Sequence, residues 1–426
     1  MAKTFRQWNA EQQLLLPRSP LDWVEKDSLV HLIRTLVLEQ LNLDAILKEY
    51  QEERGYPPFD PRMMTALLLY SYCQRIYSSR RMAQACEQRV DFMALVGMQK
   101  PDFRTISLFR KRHLKALGEL FGQVLRLCQK AKLVKLGHVA VDGTRMRANA
   151  SKRRSMSYQD MKKREAQLKA EVEGWFAEAA RQDEAEDELY GKNRRGDEMP
   201  DWVADKQERL KRLQQAQAEL EAEAKAEKER GPDPEKSRHA NKPTGKPADT
   251  TQYNFTDPDS GLMKTKEGFI QGYNAQAAVD THSQVIVAQT LTTSTNDMQQ
   301  LVPLLKQIRS NLRRQAKEVS ADSGYCSARN LKALVQRHIR GYVATDRQRK
   351  IRKVSHWVQR MRQRLKQGGK RSRYRLRMQT VEPVFGQIKQ ARGFRQFLLR
   401  GAEKVAAEWS LICTAHNLLK LRAVWR

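Results

Sequence analysis

Two aspartates follow short apolar runs, and that position suits chemistry. Asp142 follows His138-Val139-Ala140-Val141 and precedes Gly143, and Asp322 follows Glu318-Val319-Ser320-Ala321 and precedes Ser323-Gly324. Both runs predict short strands, each with a carboxylate at its C-terminal end. In an open α/β sheet that edge is where ligands bind, at the point where the strand order switches. Carboxylates on neighbouring strand ends lie close, and like charges that close do not both ionise cheaply unless a cation sits between them. The natural guest is a hard divalent ion, Mg²⁺ or Mn²⁺, completed by phosphate and water. Asp-Gly and Asp-Ser-Gly are also ordinary turn formers, so turn chemistry alone is the alternative. A third acid, Glu382, opens a predicted helix from about Val381, with Thr380 as its cap. It is the only acid from Arg347 to Gly401, among cations that would attract phosphate. Asp280, just before a hairpin turn, ranks below these three, and Asp297 is assigned to a helix N-terminus.

The charge of the whole chain points the same way. Its 426 residues carry 79 Lys+Arg against 49 Asp+Glu, a formal net charge of +30. Such an excess predicts a polyanionic partner, most commonly nucleic acid. On charge alone, ribosomal, chromatin-like and nuclease readings all stay open. The distribution is uneven: residues 151–250 hold 22 Lys/Arg and 23 Asp/Glu, whereas Arg347 to Arg377 holds 14 basic residues and no acid. Uncompensated charges at that density repel one another, and an anionic surface relieves them. The five cysteines are scattered, with no Cys-x-x-Cys and no histidine at zinc spacing, which predicts reduced, packed thiols and no structural zinc. The longest mostly apolar stretch, Met63 to Cys73, is broken by Thr65 and Ser71 and falls short of the ~20 residues a bilayer needs. The first residues lack a signal-peptide run, so a cytoplasmic chain is expected, nucleoid-associated through DNA.

Periodicity supplies the elements that must position the acids. To about Leu136 the chain reads as helical, with Asp60-Pro61 opening one helix and Ser78-Ser79 another. Thr105 is read as capping a long helix from Ile106 through Leu127. Arg110, Lys111, Arg112, His113 and Lys115 face outward from it. That basic face suits either a helix-turn-helix-like DNA reader or a bundle with a solvated side. After the Asp142 strand, Tyr158 to Tyr190 and Trp202 to Arg230 are rich in helix formers. Leu210, Leu213 and Leu220 form a thin stripe there, which predicts a protruding helical hairpin, with Gly231 to Thr250 as a linker. Strands return at Gly272–Asp280 and Gln284–Leu291, joined by a short turn. A helix from Asn296 to Arg309 follows, with Pro303 marking a kink or a later start. The rest alternates: the Asp322 strand, a helix from Ser327, the strand Gly341–Thr345, the helix of Glu382 and a last one through Trp409. The expected fold is α/β: a mixed sheet with flanking helices over residues 137–426. A helical domain at 1–136, expected to bind DNA, precedes it, and a charged helical insertion at 151–250 interrupts it.

Val139-Ala140-Val141-Asp142-Gly143-Thr144, Ala321-Asp322-Ser323-Gly324-Tyr325 and Thr380-Val381-Glu382-Pro383-Val384-Phe385-Gly386-Gln387-Ile388-Lys389 resemble the three acid motifs of DDE transposases from bacterial insertion sequences. Gly272-Tyr273-Asn274-Ala275-Gln276, Arg392-Gly393-Phe394-Arg395 and Ala415-His416-Asn417-Leu418-Leu419-Lys420 are similar too, as is the stretch from Asp60 to Arg110. The resemblance covers nearly the whole chain, excluding the charged insertion. Related transposases carry Tyr-x2-Arg-x3-Glu-x6-Lys; here Tyr374 and Arg377 fit the first spacing, and Glu382 and Lys389 fit the last. Arg377 stands one residue too far from Glu382.

The resemblance implies a ribonuclease H-like core, with the insertion after its first strand. It implies that Asp142, Asp322 and Glu382 hold two Mg²⁺ (or Mn²⁺) ions for cleavage of transposon ends and strand transfer into target DNA. The partner is double-stranded DNA, and a homodimer is expected because two ends are cut together. Tyr374, Arg377, Lys389, Arg392 and Arg395 would contact that DNA. A stand-alone metal nuclease and a non-catalytic DNA-binding regulator remain as rival readings.

Overall fold

Helices fill the N-terminal part, as the 3.6-residue periodicity predicts: α1 (Leu29–Thr35), α2 (Asp44–Leu47), α3 (Pro61–Cys73), α4 (Ser79–Gln88), α5 (Val90–Val96), α6 (Phe103–Arg112) and α7 (Leu114–Lys130). The computed structural model describes residues 19–50, 57–190, 201–229, 244–265, 268–345 and 355–425. Asp60 caps α3 by accepting from the Arg62 amide, with Pro61 at the first helical position. The long helix expected from Thr105 is two helices. Asp102 caps the first through the Arg104 amide, and the chain leaves helical geometry at His113. Two residues expected to face outward turn inward. Arg110 is buried and donates to the Tyr77 carbonyl at 3.0 Å, and the buried His113 lies 3.1 Å from the Tyr50 hydroxyl. Arg104, Lys111, Arg112 and Lys115 stay exposed.

Next come β1 (His138–Arg147), β2 (Ser155–Ser157), α8 (Tyr158–Tyr190), α9 (Asp201–Glu229) and β3 (Gln252–Asn254). α8 and α9 form the expected hairpin around a small core of their own, including Met161, Leu168, Leu213 and Leu220. β2 pairs antiparallel with β3, so the departing and returning chains are tied together at the hairpin's base. The linker expected at Gly231 to Thr250 lies mostly outside the described residues, as does the first quarter of the basic run.

The main sheet comprises β1, β4 (Gly261–Thr265), β5 (Gly268–Asp280), β6 (Ile286–Thr292), β7 (Glu318–Ala321) and β8 (Arg340–Val343). β5 is antiparallel to β1, β4 and β6, while β7 runs parallel to both β1 and β8. An antiparallel half thus meets a parallel half at β1, giving the ribonuclease H-like mixed sheet. β4 carries no alternation to announce it. Its residues, Gly-Leu-Met-Lys-Thr, hold only two large apolar side chains.

Around the sheet pack α10 (Leu301–Leu312), α11 (Ala328–Gln336), α12 (His356–Gly368), α13 (Leu376–Gly386) and α14 (Ala402–Arg422). Pro303 falls in the first turn of α10, so the later of its two expected starts is the true one. α13 begins five residues before the expected Val381. Thr380 is therefore no cap but an interior residue whose hydroxyl donates to the Leu376 carbonyl. Pro383 inside that helix leaves the Gln379 carbonyl without its usual partner, and Gln284 Nε2 donates to it at 3.0 Å. One apolar core joins the N-terminal helices to the sheet and to α14, with Trp409 fully buried in it. All five cysteines are buried thiols, and no described helix is long and apolar enough to cross a membrane.

Candidate active site

Strand register brings the first two acids together. Val141 of β1 pairs with Ala321 of β7, so Asp142 and Asp322 are the next residues on adjacent parallel strands. β7 ends there, but β1 runs on to Arg147 against β5. Asp142 therefore sits mid-strand, where its neighbour departs, and not at a strand end as expected. The Asp322 chain turns at once into a single helical turn, with Oδ1 accepting from the Gly324 amide at 2.7 Å.

Glu382 enters from α13, which packs on β1. The two meet through Arg377, which lies five residues before Glu382 on the same helix. Its Nη1 donates to Asp142 Oδ2 at 2.6 Å and its Nη2 to Glu382 Oε1 at 2.8 Å. The one-residue departure from the family spacing thus leaves Arg377 within the acid cluster. The guanidinium also lies 6.0 Å from the ring centre of Tyr374, whose hydroxyl pKa is raised mainly by burial.

The remaining expected contacts divide. Lys389 Nζ donates to the Arg145 carbonyl at 2.7 Å, and the exposed Arg395 donates to the Lys389 carbonyl. Arg392, expected to meet DNA, is buried: its guanidinium donates to His416 Nδ1 at 2.7 Å, and its carbonyl accepts from the Tyr77 hydroxyl. Burial first, then the neighbouring Arg392 cation, push the His416 pKa down to about 3. The neutral ring can then accept at Nδ1 and donate at Nε2 to the Gln284 carbonyl. Asn417 beside it bonds both the amide and the carbonyl of Ile286. The Ala415–Lys420 segment is therefore a clamp between α14 and the β5–β6 hairpin.

Asp280 is remote from the cluster, as its lower rank implies. It pairs opposite Val139, and its carboxylate accepts from the Leu136 and His282 amides. Asp297 is the correction. It caps no helix, because α10 starts at Leu301, and its Oδ1 accepts from Asn274 Nδ2 and Gln276 Nε2, each at 2.7 Å, beside the two strand aspartates. The only signal for this in the sequence is the pair of amides two apart on β5, in the motif Gly-Tyr-Asn-Ala-Gln.

A transposase DDE domain model matches residues 244–418, and a model of a transposase domain (DUF772) matches residues 18–112. The chain belongs to the DDE transposases of insertion sequences. No curated protein and no solved structure matches it. The DDE match holds Asp322 and Glu382 but begins after Asp142, which joins them through the β1–β7 register.

As they stand, no three acid, histidine or cysteine side chains among the described residues of the transposase are grouped so as to hold a metal ion. The donor set nonetheless fits one: its oxygens are hard ligands, and a cation, Arg377, already lies between Asp142 and Glu382. Burial, then the neighbouring Asp322 and Asp297 charges, push Asp142 up to about 7, against the opposing pull of Arg377. A carboxyl raised in the folded state favours folding while it is protonated, and loses that contribution as pH rises from its unfolded value through about 7. Metal-free Asp142→Asn transposase should therefore gain stability over the parent from about pH 4 to pH 7, by at most about 4 kcal/mol, and level off above. Urea denaturation of both proteins across that range measures it; a difference independent of pH contradicts it.

Proposed function

We propose that this transposase cuts DNA at the ends of its element and joins the freed 3′ ends to a target, with Asp142, Asp322 and Glu382 as the metal-holding acids. The observation that carries the reading is Arg377: a positive group bridges Asp142 and Glu382 at 2.6 and 2.8 Å, with Asp322 on the adjacent strand. Bound Mg²⁺ or Mn²⁺, two ions in this reading, would supply charge neutralisation at the attacking and leaving oxygens of an in-line displacement. The chain's own residues hold and orient. Asp142, Asp322 and Glu382 would hold the metal, and Arg377, no longer needed between Asp142 and Glu382, would be free to meet a DNA phosphate beside Tyr374. Lys389 lies about two helical turns beyond Glu382, Arg395 follows just past the helical segment, and both grip the backbone. Arg392 supports them from within the core.

The same reading takes the helical part up to Leu136 as an end-binding domain, through exposed Arg104, Lys111 and Lys115. Two copies of the chain act together on two ends, with the hairpin of α8 and α9 as the element available for that contact. The test uses a labelled fragment of the gene's own flanking DNA, with Mg²⁺ and with EDTA. Metal-dependent cuts at the element's ends, followed by joined products, are expected. Cleavage without joining would indicate a nuclease, and binding without cleavage a regulator; either outcome overturns the proposal.

A further inference from the structure

Asp297 lies in the loop between β6 and α10, outside the three acid motifs, yet it is built into the same site. Side chains alternate across a strand, so Asp142 and the position of Gly143 look to opposite faces of β1. Gly143 pairs with Gln276 on β5, and Asn274 lies two residues along on that face. A methyl group at Gly143 would collide with Gln276 Nε2, sit 2.8 Å from Asn274 Oδ1 and lie 3.0 Å from Asp297 Oδ1. A methyl at Gly324, in the second motif, would lie 2.9 Å from Asp322 Oδ1 and 3.0 Å from Asp297 Oδ2. The glycines after both strand aspartates thus leave room for one carboxylate.

That carboxylate is held from behind. Its Oδ1 takes both amide donors of β5, and Gln276 is itself fixed by the buried Tyr325 hydroxyl, which donates to Gln276 Oε1. Asn274 Nδ2 also reaches the Ser294 carbonyl at the start of the same loop. Two side-chain amides and two glycines converge on an acid that a helix cap or a surface loop would not require.

We infer that Asp297 is a fourth acid of the candidate metal centre, a positioning residue whose negative charge, set behind Asp142 and Asp322, strengthens cation binding there. The inference rests on the reading of Asp142, Asp322 and Glu382 as metal ligands. Charge can be separated from shape at this position. In Asp297→Asn the side-chain oxygen still accepts from Asn274 and Gln276, so a role confined to packing leaves metal affinity unchanged. A role through charge lowers it.

The experiment is a calorimetric titration of the full chain with Mn²⁺, without DNA, on the parent, Asp297→Asn and Asp142→Asn. Unfolding midpoints are recorded on the metal-free proteins. Mn²⁺ affinity at least tenfold weaker in Asp297→Asn, with its midpoint kept or raised, is expected. Parent affinity in Asp297→Asn, alongside lost binding in Asp142→Asn, overturns the inference and leaves the three-acid reading intact. No Mn²⁺ binding that Asp142→Asn removes overturns both. Should Asp297→Asn not fold, Asp297→Ser removes the same charge in a smaller side chain and enters the same titration with the same two outcomes.

Discussion

Asp142→Asn transposase should cut an end fragment at least ~10³-fold more slowly than the parent, a loss of about 4 kcal/mol in transition-state stabilisation. The argument rests on charge and position. Asn keeps the shape of Asp142, which sits at 16% side-chain exposure against the Arg377 guanidinium. What it removes is a negative charge at the point where β1 and β7 part. Asp322→Asn and Glu382→Gln should each cost a similar factor, and any two together little more than one, because groups that act as a unit are not additive. End-fragment affinity should survive in all three, since losing an acid from a site that approaches phosphate removes repulsion. Single-turnover cleavage in Mg²⁺, with a gel-shift titration on the same fragment, reads both quantities. Cleavage within tenfold of the parent in Asp142→Asn would remove that residue from the metal set.

The parts of this site that could be read from the sequence are those fixed by local rules. The apolar runs before Asp142 and Asp322 state two strands, though not that β1 continues to Arg147, and the observed pairing of Val141 with Ala321 sets the two aspartates side by side. The parts that could not be read depend on partners distant in the chain. Pro383 argues for a helix start near Val381, because proline breaks helix interiors. The cost is offset here by Gln284, 95 residues away, whose amide satisfies the stranded Gln379 carbonyl. Arg392 reads as a surface cation until the neutral His416 on α14 is seen to accept from it. Asp297 stands four residues before α10, where an acid ordinarily serves a helix N-terminus. Only the amides of β5 redirect it. In these three cases a polar group finds its partner through tertiary packing, which periodicity does not register.

Trp409→Ala should destabilise the transposase by about 3–5 kcal/mol, the usual cost of emptying a large aromatic site in a core. Trp409 is fully buried on α14, and its indole Nε1 donates to the Gln276 carbonyl at 3.2 Å. Its ring stacks 6.5 Å from that of Phe385, one turn beyond Glu382 on α13. The same side chain therefore backs the strand that holds Asp297 and the helix that carries Arg377 and Glu382. Removing it leaves a cavity and a carbonyl without this donor, so packing and hydrogen bonding are lost together. Trp409→Phe separates them: it restores most of the volume but not the donor, and should cost less than half as much. Guanidinium denaturation of the three metal-free proteins measures the order. Mn²⁺ affinity should fall in the same order, because Gln276 and α13 both lose a support. A Trp409→Ala protein within about 1 kcal/mol of the parent would mean that neighbouring core side chains collapse into the space. The acids would then be held by the sheet and the arginine bridge alone.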